Sequence, residues 1–276
     1  MAQPFNEYRE VTTAEPLRQC DVLEAVDATA SMWQRLLFVI TADCDLANKK
    51  HQGRVTCVPI LSAHEYLLQL RIPRIRELLI RSPLIELKEL LERSGFRNAT
   101  EARLREWILE ESNEAVATSL KIDQADRARA NNIIQRIRLI DTPVPTLDQA
   151  ASSLIESEML HVKPPKREAA VKKVLGLLRD SYKKPPGDAL FLSSPAPEYT
   201  DGYFVYMRHL EQVWEPEIAT LPGVRNVRYR RISRLRDKFT HALAQRFALV
   251  FMSIGLPADY EYSRDLHSEL LGELVK

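Results

Sequence analysis

The chain has 276 residues, of which 45% are hydrophobic and 28% charged, a composition typical of a globular protein with a sizeable core. Thirty-nine lysines and arginines against 38 acidic residues give a formal net charge of +1, which excludes a general electrostatic attraction for nucleic acid or anionic membranes. The first residues lack the basic and apolar regions of a signal peptide, and no apolar run approaches the roughly 20 residues that cross a bilayer. We therefore expect a soluble, cytoplasmic protein without a membrane partner.

The first sixty residues predict β structure. Runs rich in apolar and β-branched residues predict strands at 18–26, 33–41 and 54–61. The middle strand is a continuous apolar run, as expected of a strand buried on both faces. It ends in a polar cluster formed by Asp43, Cys44 and Asp45.

The pattern then changes to helical spacing. Ser62 with Glu65 three residues later predicts an N-cap with a capping box. Helical patterns continue to about residue 183, with further helices predicted at 100–111, 125–140, 146–160 and 166–182.

Strand patterns return after Gly187, at 189–193, 202–213 and 224–235, followed by an amphipathic helix at 236–254. The inner stripe of this helix ends at Ile254. This order predicts an α+β fold, in which a small β-barrel or sheet is built from the N-terminal and C-terminal strands. The predicted domains are 1–62 plus 187–276, with 63–186 as an all-helical insertion, because either group of strands alone would expose a long edge. Three units stacked in sequence are the alternative.

Three stretches together resemble the MazF/PemK type of toxin. They are Cys20-Asp21-Val22-Leu23, Leu37-Phe38-Val39-Ile40-Thr41 and Val55-Thr56-Cys57-Val58-Pro59-Ile60-Leu61. The resemblance implies an SH3-like small barrel and cleavage of single-stranded RNA under the control of an antitoxin. It also implies a catalytic role for Thr41, with Arg35 as a displaced substitute for the arginine of the family. Cys20 stands where the family has glycine.

The polar cluster after the buried strand has several interpretations. If the strand continues, Asp43 and Asp45 share one face, where they could bind a divalent ion or transfer protons. Cys44 could be a nucleophile if His51 or His64 approached it, although neighbouring carboxylates disfavour a thiolate. Alternatively, Cys44 packs as a small apolar residue and the two carboxylates cap the following turn.

The cysteine count bears on compartment and metal binding. Cys20, Cys44 and Cys57 are an odd number without a CxxC spacing, which favours reduced thiols in the cytosol. A Cys₃His zinc site with His51 is conceivable, but structural zinc ligands usually come in closely spaced pairs. We therefore expect no metal and no cofactor.

The stretch 225–238 is strongly basic. It predicts a cationic ridge that could follow phosphates, with Tyr229 stacking on a base. The arginines of this ridge are Arg225, Arg228, Arg230, Arg231 and Arg234. Alternatively, the stretch is a solvated face that pairs with acidic helices at 86–92 or 110–114. A common groove for Asp45 and Arg228 would favour a functional site over these structural roles.

The long helical segment lacks a phosphate-binding loop and the usual hydrolase motifs, and this favours a surface for a partner. The leading hypothesis is a non-enzymatic bacterial interaction or regulatory protein, of a defence or toxin–antitoxin type, that binds a protein partner through this segment. The alternative is a MazF-like endoribonuclease or single-stranded nucleic-acid binder that uses the stretch 225–238. A third hypothesis is a thiol hydrolase that uses Cys44.

Overall fold

The computed structural model describes most of the chain. The described residues are 6–93, 95, 100–119, 122, 124, 126–161, 163–183, 186–220, 227–252, 259, 262–263 and 265–267. Arg225 and Ile254, which figure in the predictions above, lie outside these residues.

In this part of the chain the sheet has nine strands. They are β1 (Tyr8–Arg9), β2 (Asp21–Ala25), β3 (Leu36–Val39), β4 (Arg54–Ser62), β5 (Ala189–Leu192), β6 (Tyr203–Tyr206), β7 (Glu211–Trp214), β8 (Ile218–Ala219) and β9 (Tyr229–Leu235). The predicted strand at 202–213 is interrupted by a turn at Met207 and Arg208, which divides it into β6 and β7.

The helices lie mainly between β4 and β5. They are α1 (Asp43–Ala47), α2 (Ala63–Tyr66), α3 (Ile72–Leu79), α4 (Arg81–Arg93), α5 (Glu101–Glu110), α6 (Asn113–Ser119), α7 (Arg127–Asp141), α8 (Leu147–Met159), α9 (Arg167–Lys183) and α10 (Asp237–Met252). A π-helical turn at Leu67–Arg71 joins α2 to α3. The predicted capping box is confirmed, because the Ser62 hydroxyl accepts the Glu65 N–H while the Glu65 carboxylate accepts the Ser62 N–H.

The fold is of mixed α+β type, with an antiparallel sheet curled into a half-barrel. The strand order is β1-β9-β2-β3-β4-β6-β5, with β7 also on β4 and β8 parallel to β9. Because β2 pairs with β9 and β4 pairs with both β6 and β7, the two ends of the chain share one sheet. The predicted pairing between the N-terminal and C-terminal strands is therefore present.

One side chain connects the two edges of this sheet. Glu7 precedes β1 and Ser193 follows β5, and these strands stand at opposite ends of the strand order. The Glu7 carboxylate accepts the Ser193 N–H at 2.9 Å and the Ser193 hydroxyl at 2.6 Å. The curl therefore brings the edges together at Glu7, where a side chain bonds to the opposite edge.

The strand β3 is buried on both faces, as its apolar run predicted. Leu36 and Phe38 face one side, where α10 covers the sheet, while Leu37 and Val39 pack in a separate cluster on the other side. The α10 residues in the first cluster are Phe239, Leu243, Phe247 and Val250.

The helical segment has its own core around α7. This core also includes residues of the sheet, and Tyr66 stacks on Phe204 of β6 with ring centroids 4.1 Å apart. The helices are thus firmly packed against the sheet. The division into two domains stays a prediction, since the segment and the sheet share a core cluster.

Candidate functional site

The polar cluster after β3 forms a helical turn. Asp43, Cys44 and Asp45 all belong to α1, so their side chains fan out by about 100° per residue instead of alternating as on a strand. The Asp43 carboxylate accepts the Gln19 N–H at 2.7 Å, which ties α1 to the segment before β2. Cys44 is exposed. The two carboxylates therefore do not form the one-sided pair that an extended strand would give.

His51 is buried beside this turn, with a side chain that is 3% exposed. Its Nδ1 lies 3.1 Å from the carbonyl oxygen of Asp45, and its Nε2 lies 2.8 Å from a carboxylate oxygen of Glu215. Both partners are acceptors, an arrangement that favours the imidazolium form, in which both ring nitrogens donate. The hydrogen bond to Glu215, followed by that to the Asp45 carbonyl, raises the pKa of His51.

This arrangement bears directly on the thiol-hydrolase hypothesis. A histidine base needs a ring nitrogen that can accept the thiol proton, and both nitrogens of His51 are occupied. His64 belongs to α2, beyond the far end of β4. The Sγ of Cys44 lies 3.7 Å from an Asp45 carboxylate oxygen. The described geometry gives Cys44 no partner that would activate it.

Thr41 supports the sheet at the end of β3. Its hydroxyl accepts the Thr56 N–H at 2.7 Å, and its own N–H donates to the Thr56 carbonyl at 3.3 Å. Thr41 and Asp45 also line an open cleft of about 520 Å³, together with Arg54 and Phe247. The structure thus brings two of the predicted site residues to one cleft.

Arg35 lies at the opposite end of β3 from Thr41. Six residue steps at about 3.3 Å each put the two residues roughly 20 Å apart along the strand. Arg35 forms an ion pair with Glu65, the residue that completes the capping box. The arginine and threonine implied by the toxin resemblance therefore do not meet at a single site.

Two arginines of the basic stretch are buried. The side chains of Arg231 and Arg234 are 2% and 4% exposed, and both contact the fully buried carboxylate of Asp21. Arg234 donates to Asp21 through Nε at 2.5 Å and through Nη2 at 3.0 Å. Arg231 also donates to the carbonyl groups of Thr12 and Glu15 at 2.9 and 2.8 Å. These two side chains fasten the N-terminal segment to β9.

The other members of the predicted ridge that the structure describes also have protein partners. Arg228 pairs with Glu217 at 3.4 Å and Arg230 pairs with Glu24 at 2.9 Å. Tyr229 is 3% exposed, so its ring is not accessible for stacking on a base. The acidic partners come from the sheet and the segments beside it, not from the helices at 86–92 or 110–114 as the alternative interpretation expected.

Asp45 and Arg228 lie at opposite ends of the same strands. The backbone carbonyl of Arg228 accepts the Val26 N–H just beyond the end of β2, at the level where β3 begins. Asp45 follows the other end of β3, where the backbone carbonyl of Val39 accepts the Cys20 N–H. The two residues therefore do not share a groove.

The three cysteines are separated by the sheet. Cys20 packs on the α10 side, Cys57 packs on the opposite side, and Cys44 is exposed. Burial raises the pKa of Cys20 to about 12 and raises that of Cys57 as well. Among the described residues, no group of three histidine, cysteine or acidic side chains is placed to hold a metal ion.

The sequence predictions did not identify the exposed apolar residues of α3, α4 and α5. Leu78, Ile85 and Leu109, one on each helix, are 51%, 55% and 42% exposed. We call these three residues the apolar triad. For Ile85, the exposure could have been predicted from the sequence of α4. Ile85 falls outside the buried stripe of this helix, which contains Leu84, Leu87 and Leu91.

Comparison of the chain with protein-family models, with curated proteins and with solved structures gave no match. Within the described residues, every helix is too short or too polar to cross a membrane. We therefore argue function from the side chains of this chain.

Proposed function

We propose that this protein is a non-enzymatic interaction or regulatory protein that binds a protein partner through the helical segment. The partner surface is the outer face of α3, α4 and α5. The observation that carries the proposal is the apolar triad, because it lies on neighbouring helices that are already fixed to one another and to a completed core.

Ion pairs hold the three helices side by side. Arg105 of α5 bonds to Glu77 of α3 at 2.8 Å and makes a two-pronged contact with Asp141 of α7 at 2.7 and 2.8 Å. Lys88 of α4 pairs with Glu101 of α5 at 2.7 Å. All three helices also pack against α7. The surface is thus preorganised, which lowers the entropic cost of binding.

Each residue of the apolar triad lies close to one of these ion pairs in its own helix. Leu78 follows Glu77, Ile85 precedes Lys88 by about one turn, and Leu109 follows Arg105 by about one turn. Large apolar side chains within a polar surround are typical of the centre and rim of a protein interface. The partner we expect therefore has apolar anchors and mixed charges around them.

The setting that we propose is a bacterial defence or toxin–antitoxin type of system. It rests on the resemblance of the segment from Cys20 to Leu61 to toxins that are controlled by a protein antitoxin.

The endoribonuclease alternative would need Thr41, Arg35 and the basic stretch around one substrate. These groups lie at different ends of the sheet, so we do not carry that alternative further.

The proposal can be tested by capturing partners with the tagged full-length protein in its source organism and then measuring affinity with the purified partner. Lysine at all three positions of the apolar triad should weaken binding about 100-fold, since a few central residues carry most of an interface's energy. The matched control is Val26→Lys with Leu210→Lys, because these side chains are 48% and 46% exposed and lie outside the helices. The control should retain binding within about 2-fold.

Two results would contradict the proposal. One is equal affinity of the triad variant and the control variant for the purified partner. The other is a triad that mediates only self-association, seen as a wild-type dimer by light scattering that becomes a monomer in the triad variant.

A further inference from the structure

Three arginines from separate parts of the fold meet at a cleft of about 570 Å³. Arg74 belongs to α3, Arg208 to the turn between β6 and β7, and Arg246 to α10. Asp188, which precedes β5, also lines the cleft. The cleft thus lies where the helical segment, the sheet and the C-terminal helix come together.

The three guanidinium groups are only partly used by the protein. Arg208 donates from Nε to Asp188 Oδ2 at 2.7 Å, and Arg74 Nη2 lies 3.9 Å from the same oxygen. Arg246 donates to the carbonyl of Ala189 at 3.0 Å. Within the described part of the chain, no other hydrogen bond or ion pair is found for these three groups. Most of their N–H groups are therefore available to an anion in the cleft.

Asp188 provides a second, independent indication of a ligand. The residue is 6% exposed, and its Oδ1 is buried without a hydrogen-bond partner among the described residues. A buried carboxylate oxygen normally accepts a hydrogen bond, because leaving it unpaired costs free energy. Because Asp188 lines the cleft, a rotation of its carboxylate would present this oxygen to a ligand that carries a donor.

The charges define the ligand class. Three guanidinium groups and one carboxylate give the cleft two net positive charges. Arginine binds phosphate through paired N–H groups, and the separate directions of the three side chains suit an anion with several oxygens. We infer that the cleft binds a phosphate that carries a hydroxyl donor, either free hydrogen phosphate or the phosphate of a small hydroxylated molecule such as a sugar phosphate. Arg74 lies one turn before Leu78 in α3, so the cleft borders the proposed partner surface but takes a ligand of a different class.

Each residue then has a distinct role. Arg74, Arg208 and Arg246 bind the phosphate oxygens, while Asp188 orients Arg208 and accepts the hydroxyl of the ligand. Sulfate has a similar size and charge but no proton at neutral pH, so it cannot make the hydrogen bond to Asp188. The site should therefore prefer phosphate to sulfate.

Calorimetric titration of the full chain at constant ionic strength tests this, with inorganic phosphate, ribose 5-phosphate and sulfate as probes. We expect a phosphate-bearing probe to bind at least about 10-fold more tightly than sulfate, as expected for one hydrogen bond to a charged group. Whichever phosphate binds more tightly identifies the source of the ligand. Asp188→Asn should remove most of the preference for phosphate over sulfate.

Arg208→Gln should weaken phosphate binding about 10-fold or more, because it removes a charge-assisted contact. The matched control is Arg228→Gln. Both side chains are similarly exposed, at 55% and 58%, and each forms an ion pair with a single carboxylate. The control should change phosphate binding less than about 2-fold.

The inference is overturned if phosphate and sulfate bind equally well to the wild type. It is equally overturned if Arg208→Gln and Arg228→Gln reduce the affinity for phosphate by the same factor. It is also overturned if a short single-stranded RNA binds more tightly than either phosphate and depends on Arg208, since the ligand would then be a polymer. If Asp188→Asn does not fold, two measurements still test the phosphate site. They are the affinities of the wild type for phosphate and for sulfate, and the affinity of Arg208→Gln for phosphate.

Discussion

The arginines of β9 and the arginines of the cleft differ in how their positive charge is balanced. Those of β9 are neighbours in the sequence, yet in the structure Arg230, Arg231 and Arg234 each bond to an acid of β2. Those of the cleft come from three distant elements, and Asp188 is the carboxylate that lines the cleft, paired with Arg74 and Arg208 but not with Arg246. A run of charge in the sequence thus forms a structural network, whereas scattered arginines converge on a cleft.

The register of the sheet explains the difference. Asp21 stands opposite Arg234, and Glu24 stands opposite Arg230, in the antiparallel pairing of β2 with β9. Opposite charges at facing positions stabilise a pair of strands. The acidic residues within the stretch 225–238 are therefore not the ones that balance its charge, and a prediction based on them overestimated the unpaired positive charge. The compensating residues lie far away in sequence and directly across the ladder.

The largest effect is expected from removing the charge of Asp21. This carboxylate is fully buried between Arg231 and Arg234, so Asp21→Asn removes the counter-charge of the buried Arg231 and leaves Arg234 with Glu15 alone. We expect a loss of about 3–5 kcal/mol in the free energy of unfolding, measured by urea denaturation. Glu217→Gln, which removes the partner of the exposed Arg228, is the control and should cost less than about 1 kcal/mol. Similar losses in the two variants would show that the network on β9 is not the buried structural element described above.

A smaller loss in the free energy of unfolding is expected when the pH is lowered. Glu15 bonds to Arg9 and Arg234, and the hydrogen bond from Arg9, followed by that from the Thr12 N–H, lowers the pKa of Glu15 to about 2. A carboxyl with a lowered folded-state pKa contributes stability above its ordinary value and loses that contribution as the pH falls. The free energy of unfolding should therefore fall as the pH goes from about 4.5 toward 2.

Comparison with Glu15→Gln isolates this contribution. The difference in unfolding free energy between wild type and variant should be constant above about pH 5 and should shrink at lower pH. Urea denaturation at a series of pH values measures it. A difference that stays constant down to pH 3 would show that the contacts of Glu15 do not depend on its charge.

The smallest effect is expected at the exposed end of the same strand. Arg230 is 61% exposed and pairs with Glu24 at 2.9 Å. Because solvent screens such pairs, Arg230→Gln should change the free energy of unfolding by less than about 1 kcal/mol. A loss as large as that of Asp21→Asn would remove the distinction between the buried and the exposed arginines of β9.

Much of the fold could be predicted from local patterns. The buried strand β3, the capping box at Ser62 and the stripe of α10 each depend on residues close in sequence, and each is present. The strands β1 and β8 have two residues each, too few to show a period, and were not predicted. The helical conformation of α1 was also missed, because its short polar sequence follows directly on a strand pattern.

The candidate sites were harder to predict because they depend on contacts between distant residues. Asp43 and Asp45 suggested a paired site only if the strand continued, and α1 changes their directions. The cleft arginines carry no local signal at all. Arg74 lies within a helix, Arg208 in a turn and Arg246 on the C-terminal helix, and only the tertiary fold brings them together.

The most direct measurement is the effect of phosphate on the thermal midpoint of Arg208→Gln and of Arg234→Gln. Arg208→Gln should gain much less thermal stability from added phosphate than the wild type, because ligand binding stabilises the folded state. Arg234→Gln should unfold at a lower temperature and gain as much from phosphate as the wild type. Loss of the phosphate effect in Arg234→Gln, or its full retention in Arg208→Gln, would contradict the division between structural and ligand-binding arginines.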